Sequence, residues 1–236
     1  MYIPVYVNDI TIVSKNTSKI VWVKSELKKR FKLRDLGPTQ FLLGVHVERN
    51  RKMCTLSLSQ RQGIIDMLNK FDMGDCKPVA TPLDSSVHLS ASDCPTSEDE
   101  AKYMKTIPYA EAVGTLMYIA ITTHPDIAYV VGVLSRFSSN PGIAHWKAVK
   151  HLMRYLQGTK DLKLTFSPDP NAESLFTTYS DADHAGNPDN RCSTSGFVIK
   201  IGTGCISWMS RFQTIATCST TEAEYISAVA AAQEML

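Results

Sequence analysis

The stretch Tyr6-Val7-Asn8-Asp9, close to the start of the chain, predicts the turn of a β-hairpin. Apolar residues lead into it from Tyr2, a polar pair stands at its tip, and the run 10–13 leads away. Two β-prone runs on either side of a short polar turn are typical of antiparallel strands. The pattern predicts that Asp9 is presented on a tight turn. An ordinary surface turn without any function would show the same pattern.

The composition is that of an ordinary globular protein. The chain has 236 residues, of which 44% are hydrophobic and 20% are charged, enough for one large or two ordinary domains. The net charge of +2 is too small to indicate nucleic-acid binding by itself. The six cysteines form no Cys-x-x-Cys pair, so we expect reduced thiols. Without a signal peptide or an apolar transmembrane stretch, we expect an intracellular protein, cytoplasmic or nuclear.

Residues 16–37 predict an amphipathic helix with a basic outer face. Asn16-Thr17-Ser18 offers capping side chains, apolar residues recur at helical spacing as far as Phe31, and Gly37-Pro38 ends the pattern. The lysines that could contact a nucleic-acid backbone are Lys24, Lys28 and Lys29. A solvated helix face explains the same lysines.

The middle of the chain alternates strands and helices. Strands are predicted over 41–48 and 54–58, and Ser59 is expected to cap a helix that reaches Phe71. Residues 78–108 are rich in Pro, Ser, Thr and Asp, which predicts a long loop or a partly disordered connector. Later helices are predicted over 109–120, 125–137 and 143–156, with Gly158 ending the helical region, and later strands over 174–180, 196–201, 205–210 and 214–218.

The C-terminal part places carboxylates at a strand end and at a helix start. Asp181 and Asp183 follow the first of the later strands. Two overlapping capping boxes, Ser219 with Glu222 and Thr221 with Glu224, open the last helix, and capping alone could explain both glutamates. A carboxylate on a strand that faces one on the next helix is also the beginning of a two-metal nuclease site.

Motifs in collinear order carry a resemblance to a known family. They are Tyr-Ser-Asp-Ala-Asp at 179–183, Arg-x-Ser-Thr-Ser-Gly at 191–196, Ile-Ser-Trp at 206–208 and Ser-Thr-Thr-Glu-Ala-Glu-Tyr at 219–225. Together they resemble the ribonuclease H region of copia-type retrotransposon Pol polyproteins. The first hairpin resembles the Tyr-Val-Asp-Asp hairpin of reverse transcriptases, with Asn8 in place of the first aspartate.

The resemblance implies an α+β fold with a partial reverse-transcriptase palm and helical thumb or connection, followed by an incomplete ribonuclease H-like domain. It places the palm remnant and the start of the thumb at 1–77, a connector at 78–108, the helical thumb or connection at 109–170 and the truncated ribonuclease H-like domain at 171–236. The implied activity is RNA-directed DNA polymerisation with cleavage of RNA in hybrids. The implied partners are an RNA/DNA hybrid or a template-primer.

The resemblance also assigns site residues. Asp9 matches the second aspartate of the polymerase hairpin, and Asn8 occupies the first, metal-binding position. Asp181 matches the first ribonuclease H carboxylate and Glu224 the helix glutamate. The metal would be Mg²⁺ or Mn²⁺ at Asp9, Asp181 and Glu224. An amide carries no charge, so Asn8 should weaken metal binding severely.

The expected outcome is an inactive chain that binds metal weakly or not at all, because the resemblance places further carboxylates and the fingers outside it. Two alternatives stay open: a non-catalytic nucleic-acid-binding or interaction module, and a piece of an active polyprotein. Some residues are expected to be structural. Asp183 and Glu222 are read as turn and cap, His184 as exposed, and Tyr6, Trp146 and Trp208 as packing residues.

Overall fold

The structure is a computed structural model that describes residues 1–170 and 174–236. Seven α-helices and nine strands lie within these residues, which confirms the α+β class. The chain forms two compact units, Met1–Leu43 and Gly44–Leu236. Of the described helices, none is both long enough and apolar enough to cross a membrane. All six cysteines are free thiols.

The first unit begins with the predicted hairpin. Strands β1 (Val5–Tyr6) and β2 (Asp9–Ile10) are antiparallel, with Tyr6 opposite Asp9. The turn itself consists of Val7 and Asn8, so the expectation of a polar pair at the tip is wrong by one residue. Val7 has a φ of 50°, a left-handed conformation that is rare for a β-branched residue.

Helix α1 (Thr17–Arg30) follows the hairpin and is capped as predicted. The side-chain oxygen of Asn16 accepts hydrogen bonds from the backbone N–H groups of Ser18 and Lys19, at 2.9 and 3.3 Å. Val23 is the one residue of this helix that is buried, while Phe31 remains 59% exposed. The unit ends with β3 (Phe41–Leu42).

The second unit contains two antiparallel strand layers. Strands β4 (Val45–Asn50), β5 (Thr55–Ser59) and β6 (Leu164–Phe166) are hydrogen-bonded in that order. Positive φ angles at Leu43 and Gly44 interrupt the strand that was predicted over 41–48. The short β6 has no counterpart among the predictions, because three residues carry too little periodicity to identify a strand.

Four helices build the main hydrophobic core: α2 (Arg61–Lys70), α4 (Tyr109–Thr122), α5 (Ala128–Ser135) and α6 (Ile143–Thr159). A 3₁₀ turn, Pro125–Ile127, leads into α5. Side chains at helical spacing on these elements are almost fully buried, among them Ile64, Leu68, Leu116, Leu134, Leu152 and Leu156. Each such side chain contributes about 1.5–3 kcal/mol on burial, so this layer dominates the stability of the unit.

Two predicted helix boundaries are wrong. Gly158 does not end α6 but lies within it, and the helix continues to Thr159. A Cβ atom on Gly158 would lie 3.0 Å from Cβ of Pro78, so glycine permits the close approach of the connector. The Ser59 hydroxyl accepts a hydrogen bond from the N–H of Arg61, but Ser59 belongs to β5 and Gln60 holds the N-cap position of α2.

Residues 78–108, predicted as a loop or partly disordered connector, are irregular over most of their length but also contain two helical segments. They contain a 3₁₀ turn, Ala91–Asp93, and helix α3 (Glu98–Lys105). Glu98, Asp99 and Glu100 form the first turn of α3, where their negative charges interact favourably with the helix dipole. Leu89 and Met104 are buried and anchor this segment. They are too far apart in the sequence to form a periodic apolar pattern, so the helical part was not predicted.

The C-terminal part is a three-stranded antiparallel sheet with one helix. Strands β7 (Phe176–Ala182), β8 (Thr194–Ile201) and β9 (Gly204–Phe212) lie in that order, and α7 (Thr220–Met235) packs on β7 and β8. Residues 214–218 form no strand, contrary to the prediction. The domain boundary predicted at residue 171 lies outside the described residues.

Candidate carboxylate sites

The hairpin presents Asn8 and Asp9 to solvent on a two-stranded ribbon. Asn8 lies in the turn, and Asp9 is the first residue of β2. Tyr6, opposite Asp9, is 60% exposed, so the expectation that it packs is wrong. Strands of two residues provide no sheet face that could cover its ring. This end of the chain therefore offers one carboxylate next to a neutral amide.

Asp181 lies near the end of β7, opposite Gly196 of β8. On β8, Phe197 and Ile199 point toward α7 and pack against Ala231. Side chains alternate between the two faces of a sheet, so Asp181 and Gly196 lie on the face away from α7. The Asp181 side chain is exposed, and β7 is an edge strand of the sheet within the described residues.

Helix α7 is fixed to β7 at the level of Asp181. The buried Ser227 hydroxyl lies 2.7 Å from the carbonyl oxygen of Asp181 and 3.0 Å from that of Gly196, and donates to them. Glu224 precedes Ser227 by three residues, less than one helical turn. Ser227 was not predicted as a functional residue, although its spacing of four from Ala223 and from Ala231 places all three on one side of the helix.

Glu224 lies on the side of α7 that faces the β7 edge. Met235 follows Glu224 by eleven residues, about three helical turns, so both project from the same side of the helix. The Met235 sulfur accepts a hydrogen bond from the Thr178 hydroxyl on β7. Asp181 and Glu224 are therefore brought to one edge of the sheet, with Asp181 on the face opposite the helix.

The neighbouring polar residues have structural roles, as predicted. Ser219 is the N-cap of α7 and accepts from the N–H of Glu222 at 3.1 Å, while the Glu222 carboxylate accepts from the N–H of Cys218 at 2.8 Å. The second predicted capping box does not form, because Thr221 is already inside the helix. Glu224 is thus left without a capping role.

Asp183 and His184 follow β7 directly. The Asp183 carboxylate accepts a hydrogen bond from the N–H of Thr194, and its own N–H donates to the Thr194 carbonyl oxygen at 3.1 Å. Asp183 thus has a structural role, as expected, but it extends the pairing of β7 with β8 and does not lie in a turn. His184 is exposed, as expected. Trp146 and Trp208 are half-buried and pack, the former edge-on against Phe71.

The carboxylates do not fit a two-metal centre. Across residues 1–170 and 174–236, no three His, Cys, Asp or Glu side chains are grouped so as to hold a metal ion. Mg²⁺ requires near-octahedral oxygen coordination, and two such ions close together require several carboxylates. The hairpin supplies one carboxylate and the β7 edge supplies two.

The basic residues predicted on α1 are partly neutralised. Lys24 pairs with Asp35 at 2.8 Å, and Lys29 pairs with Glu26 at 2.6 Å. The hydrogen bond from Lys24, followed by the one from the N–H of Gly37, lowers the pKa of the Asp35 carboxyl. Of the three predicted lysines, Lys28 takes part in neither of these pairs, and its side chain is exposed.

Comparison with known proteins identifies relatives along the whole chain. Residues 1–85 match the family described as "Reverse transcriptase (RNA-dependent DNA polymerase)". The chain is 45% identical over 231 residues to the retrovirus-related Pol polyprotein from transposon TNT 1-94 of Nicotiana tabacum, which covers 98% of the chain and 17% of that polyprotein. It is 36% identical over 235 residues to the Pol polyprotein from transposon RE2 of Arabidopsis thaliana, covering 100% of the chain and 15% of that relative.

A shorter relative matches over most of its own length. The putative transposon Ty5-1 protein of Saccharomyces cerevisiae is 30% identical over 229 residues, which is 97% of the chain and 71% of the yeast protein. No solved structure matches the chain significantly. The chain thus spans less than a fifth of the two Pol polyproteins. These matches, with the hairpin that they include, show that the chain belongs to the family of retrotransposon Pol polyproteins that carry a reverse transcriptase domain.

Proposed function

We propose that this chain is the part of a copia-type reverse transcriptase and ribonuclease H polyprotein that runs from the end of the polymerase palm into the ribonuclease H domain. By itself it binds nucleic acid but neither polymerises DNA nor cleaves RNA. The observation that carries this proposal is the attachment of α7 to β7 through Ser227. This attachment places the helical turn that carries Glu224 beside the part of β7 that carries Asp181.

The polymerase half lacks the charge that its chemistry needs. Two divalent cations stabilise the negative charge that develops during phosphoryl transfer, and carboxylates hold those cations in place. Asn8 lies in the hairpin turn next to Asp9. Its amide can offer one carbonyl oxygen to a cation but carries no charge. Asp9 alone is too few ligands for that task.

The ribonuclease H half offers two carboxylates on a well-packed support. The buried residues Phe197, Ile199 and Ala231 fix α7 on the sheet, and the Ser227 hydrogen bonds fix its position along β7. The exposed side chains of Asp181 and Glu224 meet the solvent at one edge. Two carboxylates bind one divalent cation weakly, which is insufficient for in-line displacement by two ions.

Primer extension and hybrid-cleavage assays on the full chain, with Mg²⁺ or Mn²⁺, test the proposal. We expect no turnover from the wild-type chain and none from Asn8→Asp, because the restored carboxylate would still lack its partners. Turnover that disappears in Asp181→Asn would show that the nuclease half is active. Primer extension by Asn8→Asp would show that one charge was all that the hairpin lacked.

A further inference from the structure

His145 is a fully buried histidine in the first turn of α6. Its imidazole ring is stacked on the ring of Phe137, with the two ring centres 3.9 Å apart. Its Nδ1 atom accepts a hydrogen bond from the backbone N–H of Gly142 at 2.9 Å. Gly142 is the N-cap residue, so this bond does what the third residue of a capping box usually does with a glutamate or glutamine. His145 therefore joins the segment that follows α5 to the start of α6.

The hydrogen bond from Gly142 fixes where the ring carries its hydrogen. A backbone N–H can only donate, so Nδ1 must present its lone pair, and the ring hydrogen is on Nε2. Nε2 is buried and faces the backbone of Ser90, but at a geometry too poor to count as a hydrogen bond to any described residue. A second proton can enter the ring only at Nδ1. A charged His145 would therefore set two N–H donors against each other across the Gly142 contact.

Gly142 has little room to move away from a charged ring. The 3₁₀ turn Ala91–Asp93, which we call the connector turn, packs against it. A Cβ atom on Gly142 would collide with the carbonyl oxygen of Asp93 and would lie 3.4 Å from Cα of Cys94. Groups that repel each other in a close-packed site separate only when the elements around them shift. Here those elements are the connector turn and the first turn of α6.

The connector turn is also held from the C-terminal sheet. Both carboxylate oxygens of Asp189, in the segment between β7 and β8, accept from the backbone N–H of Ala91 at 3.1 Å. Within the connector segment, the Asp93 carboxylate accepts from the N–H of Ser90 at 2.9 Å. His145 thus lies where α6, the connector and the loop before β8 meet.

Burial keeps His145 neutral and lowers the pKa of its imidazole below the ordinary value of 6.5. Three charged groups face the ring: Asp93 of the connector turn, Arg136 at the end of α5 and Asp189. The two carboxylates raise this pKa and the guanidinium lowers it, and burial has the larger effect. The folded state therefore excludes a proton that the unfolded chain accepts. The contribution to stability is complete above about pH 6.5 and falls as the pH drops below that value.

The core side chains of α6, from Ala148 to Leu156, lie beyond its first turn. The helix can therefore open at its start while its core residues stay packed. We propose that His145 is an acid-sensitive joint, in which protonation of the ring separates the first turn of α6 from the connector turn while the helical core stays folded.

Side-chain NMR of the full chain tests the geometry of the joint. At pH 7.5 we expect a neutral His145 ring with its hydrogen on Nε2. We expect the same form in mildly acidic solution, where the exposed His184 is already charged. A charged His145 ring, or a ring hydrogen on Nδ1, at pH 7.5 would overturn the proposal.

Hydrogen exchange followed by mass spectrometry tests the opening. The full chain is compared at pH 7.5 and pH 5.5, with both data sets corrected for intrinsic exchange rates. We expect residues 88–95 and 141–146 to exchange up to about tenfold faster at pH 5.5, because opening takes up one proton over this range. Residues 148–156 of the same helix should change less. Equal acceleration in both parts of α6 would mean that acid weakens the whole fold and that no local joint exists.

The variant His145→Asn separates protonation from the hydrogen bond. Asparagine offers a side-chain oxygen to the Gly142 N–H but does not ionise, so the acid-dependent acceleration should disappear. His184→Asn makes the same change at an exposed histidine and should respond to acid as the wild type does. Circular dichroism verifies that both variants fold. An unchanged acid response in a folded His145→Asn would show that another group is the sensor. If His145→Asn does not fold, the NMR and exchange results on the wild type still decide.

Discussion

At the scale of single residues, Ser227 decides how the two carboxylate-bearing elements meet. Its side chain is completely buried, and its hydroxyl contacts the carbonyl oxygens of Asp181 and Gly196. Alanine neighbours at positions 223 and 231 keep this stripe of α7 narrow, so the helix lies close to the strands. A larger residue at position 227 would push the helix away from β7.

We predict that Ser227→Ala destabilises the chain by about 1 kcal/mol, the usual net contribution of one hydrogen bond. The measurement is urea unfolding followed by circular dichroism. Thr221→Ala is the matched control, because it removes an exposed hydroxyl from the same helix and should change stability by no more than about 0.5 kcal/mol. Equal stability of the two variants would mean that Ser227 does not hold α7 in place.

At the scale of elements, α6 and residues 74–84, which include the start of the connector, support each other. Gln157 Nε2 donates to the carbonyl oxygen of Gly74 at 2.8 Å, and His151 Nε2 lies 2.9 Å from that of Thr81. Together with the Arg154 contact to Lys77, these bonds satisfy three backbone carbonyl groups of residues 74–84 from one helix. Gly158 allows Pro78 to approach the same helix without a Cβ atom between them.

Replacing a helical glycine by alanine normally stabilises a helix by up to about 1 kcal/mol. We expect this gain for Gly114→Ala in α4, where an added Cβ would contact nothing within 4 Å. We expect no gain for Gly158→Ala, because the new methyl group would be 3.0 Å from Pro78. Differential scanning calorimetry of both variants checks this, and Gly158→Ala in a Pro78→Gly background, which lacks the Cβ atom at position 78, should recover part of the gain. A full gain for Gly158→Ala alone would show that the connector is loosely held.

At the scale of the whole molecule, the two units differ in how much apolar surface they bury. In residues 1–43, Val23 is the one buried hydrophobic residue, and Tyr2, Val5, Val7 and Trp22 are exposed. The apolar surface of the first hairpin is therefore exposed. In the second unit, α2, α4, α5 and α6 share one continuous core.

We predict that limited proteolysis cuts within residues 1–43 well before it cuts within the helical core of the second unit. Segments with few buried apolar contacts open locally at low free-energy cost, whereas core helices open only near global unfolding. Mass spectrometry of the early fragments identifies the sites, and amide hydrogen exchange of α1 and α6 gives an independent comparison. Equal protection of α1 and α6 would contradict the prediction.

Local patterns were sufficient wherever the signal lay within a few residues. The Asn16 cap, the apolar spacing of α4 and α6 and the Ser219–Glu222 cap were all predictable, because each depends on contacts between residues close in sequence. Helix α3 and strand β6 were missed, because α3 has a single buried anchor, Met104, and β6 depends on pairing with β5, more than one hundred residues earlier.

The candidate site divides in the same way. The sequence alone determined which residue types carry the chemistry: Asn8 beside Asp9 in the hairpin, and Asp181 and Glu224 near the C terminus. Only the tertiary structure decided which sheet face Asp181 occupies, which glutamate is committed to a helix cap and which lysines are neutralised by ion pairs. Side-chain identity is written in the chain, whereas strand register, helix rotation and charge pairing arise when distant segments pack together.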